Sequence, residues 1–239
     1  MRTTALHTVA EYQAAFDREC GQAYPWVDAF EARAGYAIDT TRLRAAAYLL
    51  ACPLKAHPPN WQHGRVLYAA ARQHFAAYRG AARVLDIGTA KGFSALCLQW
   101  ALRDAGVQGH VVSVDVIDPC SREPRNTVAE LDAPLTLFEL LRPWPEAATI
   151  TFHQMTGINF LLSYQGRIDC AFVDGKHTGD VVAQEGALLA DRQQPGDLAI
   201  FDDVHLKDVR DAVTQLRAYN VEWISVRPQQ RAYAVGRRR

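Results

Sequence analysis

The sequence predicts an α/β protein with a doubly wound, mostly parallel sheet of seven strands and an N-terminal helical extension. From Arg83 onward, short apolar runs rich in β-branched residues alternate with helical stretches. Nearly continuous apolar runs are typical of strands that are covered on both faces, as in a parallel sheet. Residues before about 80 show helical spacing and no strand-like run.

The order of these segments is the repeated βα of a Rossmann-like fold. The runs predicted as parallel strands are 83–87, 110–116, 149–155, 168–174 and 198–202. The helices predicted between them include 93–103, about 178–192 and 206–219. Two final runs, 221–226 and 231–235, are joined by four residues. So short a link cannot form a crossover, and we expect an antiparallel C-terminal hairpin.

The first part of the chain is interpreted as a helical N-terminal extension or lid, residues 1–80, preceding a ligand-binding domain of residues 81–239. Helical spacing is present at 9–19 and at 43–50, the second after a Thr40-Thr41 cap. A proline-rich break at 52–59 precedes another helix near 64–78. The link 118–148 is long, contains a helical piece near 128–141, and is expected to cover the site together with the N-terminal helices.

Composition excludes several classes of protein. Acidic and basic residues balance at 26 each, which argues against a protein dedicated to nucleic acid or to a membrane surface. The five cysteines are scattered and form no CxxC pair, so we expect free thiols in a reducing cytosol and no zinc site. No segment resembles a signal core or a membrane span, which predicts a soluble cytoplasmic protein.

Acids stand at the carboxyl ends of four predicted strands. They are Asp86, Asp115, Asp174 and Asp202. In open parallel sheets the ligand lies beyond these ends, and a random distribution would rarely place four acids there. The strand ends therefore predict one ligand site.

The loop after the first strand, Gly88-Thr89-Ala90-Lys91-Gly92, allows a tight turn close to a ligand, at the start of a helix whose amides face it. Ala90 stands where GxGxxG requires its second glycine, which disfavours an NAD-dependent oxidoreductase, and no Walker A loop is present. Asp115, 23 residues after Gly92, is suited to the diol of a ribose without a phosphate. The alternative is a plain strand-to-helix turn.

The stretches "VLDIGTAKGFSAL" at 84–96 and "VVSVDV" at 111–116 resemble motifs of class I S-adenosylmethionine-dependent methyltransferases. The resemblance covers about residues 60–239. It implies a cofactor site in which Asp115 holds the ribose and Met155 and Thr156 flank the adenine, although the chain has no acid at 154–157. The further cofactor-contact residues that it implies are Asp86, Gly88, Gly92, Phe93 and Ser94, and, from a loop over the cofactor, Gln62, His63 and Gly64.

The two strand ends "FVDGKH" at 172–177 and "IFDDVH" at 200–205 are expected to converge. Neighbouring carboxylates repel one another unless a cation joins them, and oxygen ligands suit Mg²⁺. The pattern is similar to metal-dependent O-methyltransferases of the catechol and macrolide-sugar groups, which implies Asp174, Asp202 and Asp203 as metal ligands. The alternative is that these acids cap helices.

His177 is the preferred general base, because its ordinary pKa suits the task, with Lys176 as the alternative. His205 is interpreted as a surface residue. The expected enzyme transfers a methyl group to a hydroxyl of a small molecule with vicinal oxygens, a natural-product sugar or phenol. A metal-independent methyltransferase and a non-catalytic cofactor-binding module stay open, and the helical extension favours a homodimer.

Overall fold

The computed structural model describes residues 8–52, 59–227 and 231–239. The helices are α1 (Val9–Cys20), α2 (Pro25–Ala34), α3 (Thr40–Leu50), α4 (Gln62–Phe75), α5 (Phe93–Asp104), α6 (Leu137–Leu141), α7 (Gly157–Ser163), α8 (Gly179–Ala190) and α9 (Lys207–Gln215). The strands are β1 (Ala82–Ile87), β2 (Gly109–Asp115), β3 (Thr151–Gln154), β4 (Cys170–Val173), β5 (Leu198–Phe201), β6 (Tyr219–Arg227) and β7 (Arg231–Arg238). Most of the predicted proline-rich break and the turn of the C-terminal hairpin lie outside the described residues.

The seven strands form one sheet in the order β3-β2-β1-β4-β5-β7-β6. The first five strands are parallel, and β7 runs antiparallel to both β5 and β6. The predicted fold class, with its C-terminal antiparallel hairpin, is confirmed. The chain crosses from β3 back to β4 on the other side of β1, so the topological switch point lies between β1 and β4, where a ligand is expected.

Two apolar layers cover the sheet. One contains α4 and α5, with Leu67 and Trp100 packed toward Phe172 of the sheet. The other contains α7, α8 and α9 on the opposite face. The N-terminal helices belong to the first layer, since Tyr12 and Leu43 share its buried cluster. The helical extension therefore packs in the apolar layer on one face of the sheet.

The helices differ from the predictions at several points, and local capping explains two of them. The predicted helical piece near 128–141 is a single 3₁₀ turn and the short α6, because Pro134 interrupts it and Thr136 begins a new helix with a capping box. The N-cap of α3 is Asp39, which accepts a hydrogen bond from Arg42, and not the predicted threonine pair. Helix α2 lies within the predicted helical extension, whereas helix α7 was not anticipated. Helix α9 ends at Gln215, which is earlier than predicted.

Among the described helices, none combines the length and apolarity needed to cross a bilayer.

Candidate active site

A cleft of about 830 Å³ lies at the switch point of the sheet. Gly88 and Ala90 of the β1 loop and Asp115 at the end of β2 line one part of it. Residues 155–159 at the start of α7 line a second part, and residues 174–177 after β4 line a third. The cleft therefore joins the ends of four of the predicted strands, β1 to β4, in one continuous space.

The backbone conformation and close packing of the β1 loop, residues 88–92, require glycine at Gly88 and Gly92. Both adopt positive φ, +97° at Gly88 and +80° at Gly92. A Cβ on Gly88 would lie 2.1 Å from the carbonyl oxygen of Asp174, and one on Gly92 would lie 2.9 Å from the side chain of Leu141. Gly88 thus allows the β1 loop to pass directly beside the end of β4, which brings the cofactor loop and the acidic strand end together.

Asp115 is held by two backbone donors. Ala90 donates its N–H to Oδ2 at 2.8 Å, and Ile117 donates to Oδ1 at 3.0 Å. Ala90 has φ +44°, the left-handed region that usually favours glycine. Each carboxylate oxygen keeps a further lone pair. The fixed carboxylate is therefore available to accept two hydroxyl groups, as the predicted ribose contact requires.

Several predicted cofactor residues lie beneath the cleft. Asp86 is fully buried and accepts a hydrogen bond from the Ser113 hydroxyl at 2.5 Å, and burial raises the pKa of Asp86 to about 7. Ser94 is also buried and bonds to Asp86. A Cβ on Gly64 would collide with Phe93, so these two residues pack α4 against α5. In this structure Asp86 and Ser94 are buried together, while Gly64 and Phe93 serve the packing of the two helices.

Three acids converge at the ends of β4 and β5. Asp203 has φ +53°, and its N–H donates to Asp202 Oδ1 at 2.6 Å. Oδ1 of Asp174 and Oδ1 of Asp203 are buried and receive no hydrogen bond within the described chain. Burial, followed by the charge of Asp202, raises the pKa of Asp174 well above its ordinary value. The described residues therefore supply too few hydrogen-bond donors and too little positive charge to stabilise the ionised form of Asp174.

Two further residues contact this cluster. The motifs did not identify Arg231, and they indicated a different role for His63. Arg231 on β7 donates to Asp202 Oδ2 at 2.5 Å and lies 3.5 Å from Asp203 Oδ1. His63, predicted to contact the cofactor, places Nδ1 3.5 Å from Asp202 Oδ2 and 3.2 Å from the Tyr233 hydroxyl. Although burial opposes it, the charge of Arg231 holds the pKa of Asp202 below its ordinary value.

His177 contacts the acidic cluster directly. Its Nδ1 lies 2.7 Å from Asp203 Oδ2 and 3.7 Å from Asp174 Oδ1. The hydrogen bond with Asp203 raises the pKa of His177 against the opposing effect of burial. Lys176 is exposed and also lines the cleft. His205 lies 3.7 Å from Asp203 Oδ1, outside the cleft lining.

The predicted ligand triad is divided between two groups of donor atoms. His63, Asp174 and Asp202 offer donors within 4.8 Å of one another, and so do Asp174, His177 and Asp203. Asp202 has both carboxylate oxygens engaged by protein donors. Asp174 and Asp203 each keep an oxygen without a donor. The second group is therefore the one whose donor chemistry fits a hard divalent cation.

The cleft also contains residues that the motifs did not identify, among them Ile158, Asn159 and Glu185. Glu185 is 2% exposed on α8. A signal for it was present: Val182, Glu185, Gly186 and Leu189 have the spacing of one buried helix face, and a glutamate on such a face is unusual.

The comparison with protein families agrees with this geometry. The family model described as "Methyltransferase domain" matches residues 85–204, slightly more than half of the chain. The match begins in β1 and ends just after the Asp202-Asp203 pair. No curated protein matches the chain closely enough to serve as a relative.

Solved structures with the same fold include several methyltransferases. Rv0187 from MTB, solved in a cofactor-bound form, is 20% identical, with a TM-score of 0.59 and coverage of 91% of this chain and 98% of that one. The O-methyltransferase TomG from Streptomyces achromogenes, involved in tomaymycin synthesis and solved with S-adenosylmethionine, is 18% identical, with a TM-score of 0.57 and coverage of 84% and 91%. The methyltransferase PaMTH1 from Podospora anserina, bound to S-adenosylhomocysteine, is 14% identical, with a TM-score of 0.53 and coverage of 89% and 94%.

Because these sequence identities are low, the similarity to solved structures establishes only the fold. The family model identifies a methyltransferase domain. The glycine loop, the acid at the end of β2 and the cleft between them lie inside the matched segment. The chain belongs to the methyltransferase domain family and has the fold of S-adenosylmethionine-dependent methyltransferases.

Proposed function

We propose that this protein is an O-methyltransferase that transfers the methyl group of S-adenosylmethionine to a hydroxyl of a small molecule with vicinal oxygens, a natural-product sugar or phenol, with the help of Mg²⁺ or another divalent cation. One observation carries the proposal: a single cleft extends from Asp115 to Asp174 and His177. A nucleoside bound at Asp115 by its ribose can therefore direct its reactive end toward the acidic cluster.

The residues around Asp115 would bind and orient the donor. The Asp115 carboxylate, fixed by the Ala90 and Ile117 amides, accepts the two ribose hydroxyls. S-adenosylmethionine supplies a sulfonium methyl group. Because Gly88 lies against the Asp174 carbonyl, the distance between the donor loop and the acidic cluster is short and fixed by the backbone. Such positioning is a large part of catalysis when two bound reactants must meet in line.

A divalent cation fits Asp174 and Asp203 best. Both keep a buried carboxylate oxygen without a hydrogen-bond donor, whereas Asp202 is engaged by Arg231 and a backbone amide. A bound cation would lower the pKa of an acceptor hydroxyl in contact with it. We assign Asp202 to the support of this pair, since its ion pair with Arg231 anchors the end of β5 against β7.

His177 would take the proton of the acceptor. Its Nδ1 faces Asp203 at 2.7 Å, which fixes the ring and leaves Nε2 for the acceptor. Lys176 is the alternative base, because it also lines the cleft. Proton removal leaves an anionic oxygen opposite a cationic donor, so the remaining task of the site is to align the pair and exclude water.

A metal-independent mechanism is the second candidate, and a separate observation favours it. His177 and Asp203 form a hydrogen-bonded pair of the kind that orients and activates a general base. Arg231 already supplies a positive charge to Asp202 and Asp203. In a metal-independent mechanism, His177 paired with Asp203 would deprotonate the acceptor hydroxyl without a cation.

Turnover assays separate these candidates. The purified protein is assayed with S-adenosylmethionine and a panel of catechols and sugar diols, with and without EDTA, followed by readdition of Mg²⁺. The proposal predicts loss of turnover with EDTA, recovery with Mg²⁺, and loss of at least about 100-fold in Asp174→Asn, since even the outer partners of metal ligands contribute up to that amount. Asp211→Asn, an exposed acid on α9, is the matched control.

Unchanged turnover in EDTA and in Asp174→Asn, together with inactivation by His177→Gln, would establish the metal-independent mechanism. Binding of S-adenosylhomocysteine without turnover of any acceptor would instead favour a non-catalytic module.

A further inference from the structure

A buried glutamate in the wall of the cleft has no role in the chemistry described above. Glu185 is 2% exposed, and its Oε2 receives no hydrogen bond from the described residues. Burial raises the pKa of Glu185 to about 7. A buried polar atom without a partner is costly, and native proteins keep such atoms mainly where a ligand or water satisfies them.

The carboxyl group of Glu185 lies between two glycines of the cleft wall. A Cβ built on Gly157, the first residue of α7, would lie 2.4 Å from Glu185 Oε1, and one on Gly175 would lie 3.6 Å from the same atom. Both glycines line the cleft with Glu185. Because neither glycine has a side chain, the carboxyl group has room at the surface of the cleft and the backbones of both loops run beside it.

A carboxyl group in this position suits a ligand with N–H or O–H donors, and the ribose hydroxyls of the donor are already assigned to Asp115. S-adenosylmethionine has two amino groups, one on the adenine and one on its methionine part. The methionine carboxylate suits the amides at the start of α5, and α5 lies on the face of the sheet that contains α4. Glu185 and Gly157 lie on the opposite face, with α7 and α8. The base is therefore the part of the donor that reaches Glu185 when the ribose is at Asp115.

We propose that Glu185 recognises the adenine of the donor by accepting a hydrogen bond from its exocyclic amino group. This inference rests on the proposed binding of S-adenosylmethionine in the cleft. The acid that binds the adenine would then lie on α8, where Glu185 approaches Gly157. No acid is present in the sequence at 154–157 itself. A neutral or ionised carboxyl group can accept this bond, and the neutral form can also donate to the adjacent ring nitrogen.

Calorimetric binding to four ligands tests the assignment: S-adenosylhomocysteine, its inosine analogue with an oxo group in place of the amine, 5′-methylthioadenosine, and 5′-methylthioinosine. The two smaller ligands lack the amino-acid part. We expect Glu185→Leu to weaken both adenine ligands by roughly 10- to 100-fold, the range for a hydrogen bond to a charged or buried acceptor. Binding of the two inosine ligands is expected to change little.

Gln184→Leu, one position earlier and exposed on α8, is the matched control and should bind all four ligands as the wild type does. Glu185→Gln keeps an accepting oxygen and is expected to fall between wild type and Glu185→Leu. Thermal unfolding of each variant confirms that it is folded, and removing a buried unpaired acid should not lower its stability.

Three results would overturn the assignment. If Glu185→Leu weakens S-adenosylhomocysteine but not 5′-methylthioadenosine, Glu185 binds the methionine amino group. If it changes only the Michaelis constant of the methyl acceptor, it binds the acceptor. If the wild type binds S-adenosylhomocysteine and Glu185→Leu binds it equally well, Glu185 has no part in donor binding; failure of the wild type to bind it would refute the proposed function as well.

Discussion

Arg231 Nη2 donates to Asp202 Oδ2 at 2.5 Å, joining the first residue of β7 to the residue that follows β5. The Asp202 side chain is fully buried, while 30% of the Arg231 side chain is exposed. Arg231 supplies positive charge to the cluster of three acids. This residue belongs to the C-terminal hairpin. The C-terminal hairpin therefore belongs to the candidate active site.

Replacing Arg231 by methionine should destabilise the protein. The substitution leaves the Asp202 carboxylate buried without its cation, and breaking a buried pair typically costs about 3 kcal/mol or more. The free energy of unfolding, measured with urea, checks this value. Lys207→Met removes the exposed pair with Asp211 and should leave the free energy of unfolding unchanged. Equal effects of the two substitutions would contradict the role given to Arg231.

His177 should control the pH dependence of turnover. A general base acts in its neutral form, and the hydrogen bond with Asp203 raises the pKa of His177. In the metal-free protein the pKa of His177 is therefore expected to lie above 6.5, the ordinary value for histidine, and a cation bound at Asp203 should move the rise in turnover to lower pH. His177→Gln should lower kcat by roughly 100- to 10,000-fold.

The variant Asp203→Asn tests the same pair from the other side. Loss of the carboxylate removes the main cause of the raised pKa, so the rise in residual turnover should move to lower pH. A profile of kcat against pH between about 5 and 9 measures both variants. A profile that does not move in Asp203→Asn would show that another group, such as Lys176, is the base.

Gly88→Ala should separate the requirement for a glycine from any contact with the cofactor. A Cβ at Gly88 would lie 2.1 Å from the Asp174 carbonyl oxygen, and the backbone has φ +97°. We expect a loss of about 3 kcal/mol or more in the free energy of unfolding, combining left-handed strain with a collision against backbone. Gly35→Ala, with φ +78° and no atom within 4 Å, has the strain alone and should cost about 1 kcal/mol. If both variants lose the same stability, the contact with Asp174 is not tight.

The stability of the protein should fall as pH rises toward neutrality. Burial raises the pKa of Glu185 from 4.5 to about 7, so the folded state retains a proton that the unfolded chain loses. The corresponding stability is fully present below pH 4.5 and is lost as the pH rises through about 7. The contribution is about 3 kcal/mol, from the size of the pKa shift.

Glu185→Gln should reduce the difference in unfolding free energy between pH 5 and pH 8 by about this amount. Glu123→Gln, at an exposed position, is the control. A wild-type difference that Glu185→Gln leaves unchanged would show that Glu185 is satisfied by a partner and ionises normally.

Much of the fold follows from local patterns. Strands β1, β2, β4 and β5 are short apolar runs that end in acids, and their period and flanking turns are properties of neighbouring residues. Helix ends were less predictable, because they depend on individual caps. Asp39 and Thr136 set two of them by single side-chain hydrogen bonds.

The candidate site was predictable only in part. Asp115, Asp174, Met155 and Thr156 lie on the cleft as the motifs indicated, because they directly follow strands whose ends meet at one edge. The motifs could not distinguish residues that face the cleft from residues that support it. Asp86 in β1 and Ser94 in α5 are buried and hydrogen-bond to each other, so neither side chain lines the cleft.

The sequence by itself determined the α/β class, the glycine loop and the convergence of acids after β4 and β5, because each depends on the order and spacing of residues along the chain. Only the tertiary structure decided which charges meet. Arg231 reaches Asp202 across 29 residues, and Glu185 approaches Gly157 across 28, through strand order and helix packing. Contacts of this kind depend on how distant segments pack, and no local pattern of residues contains that information.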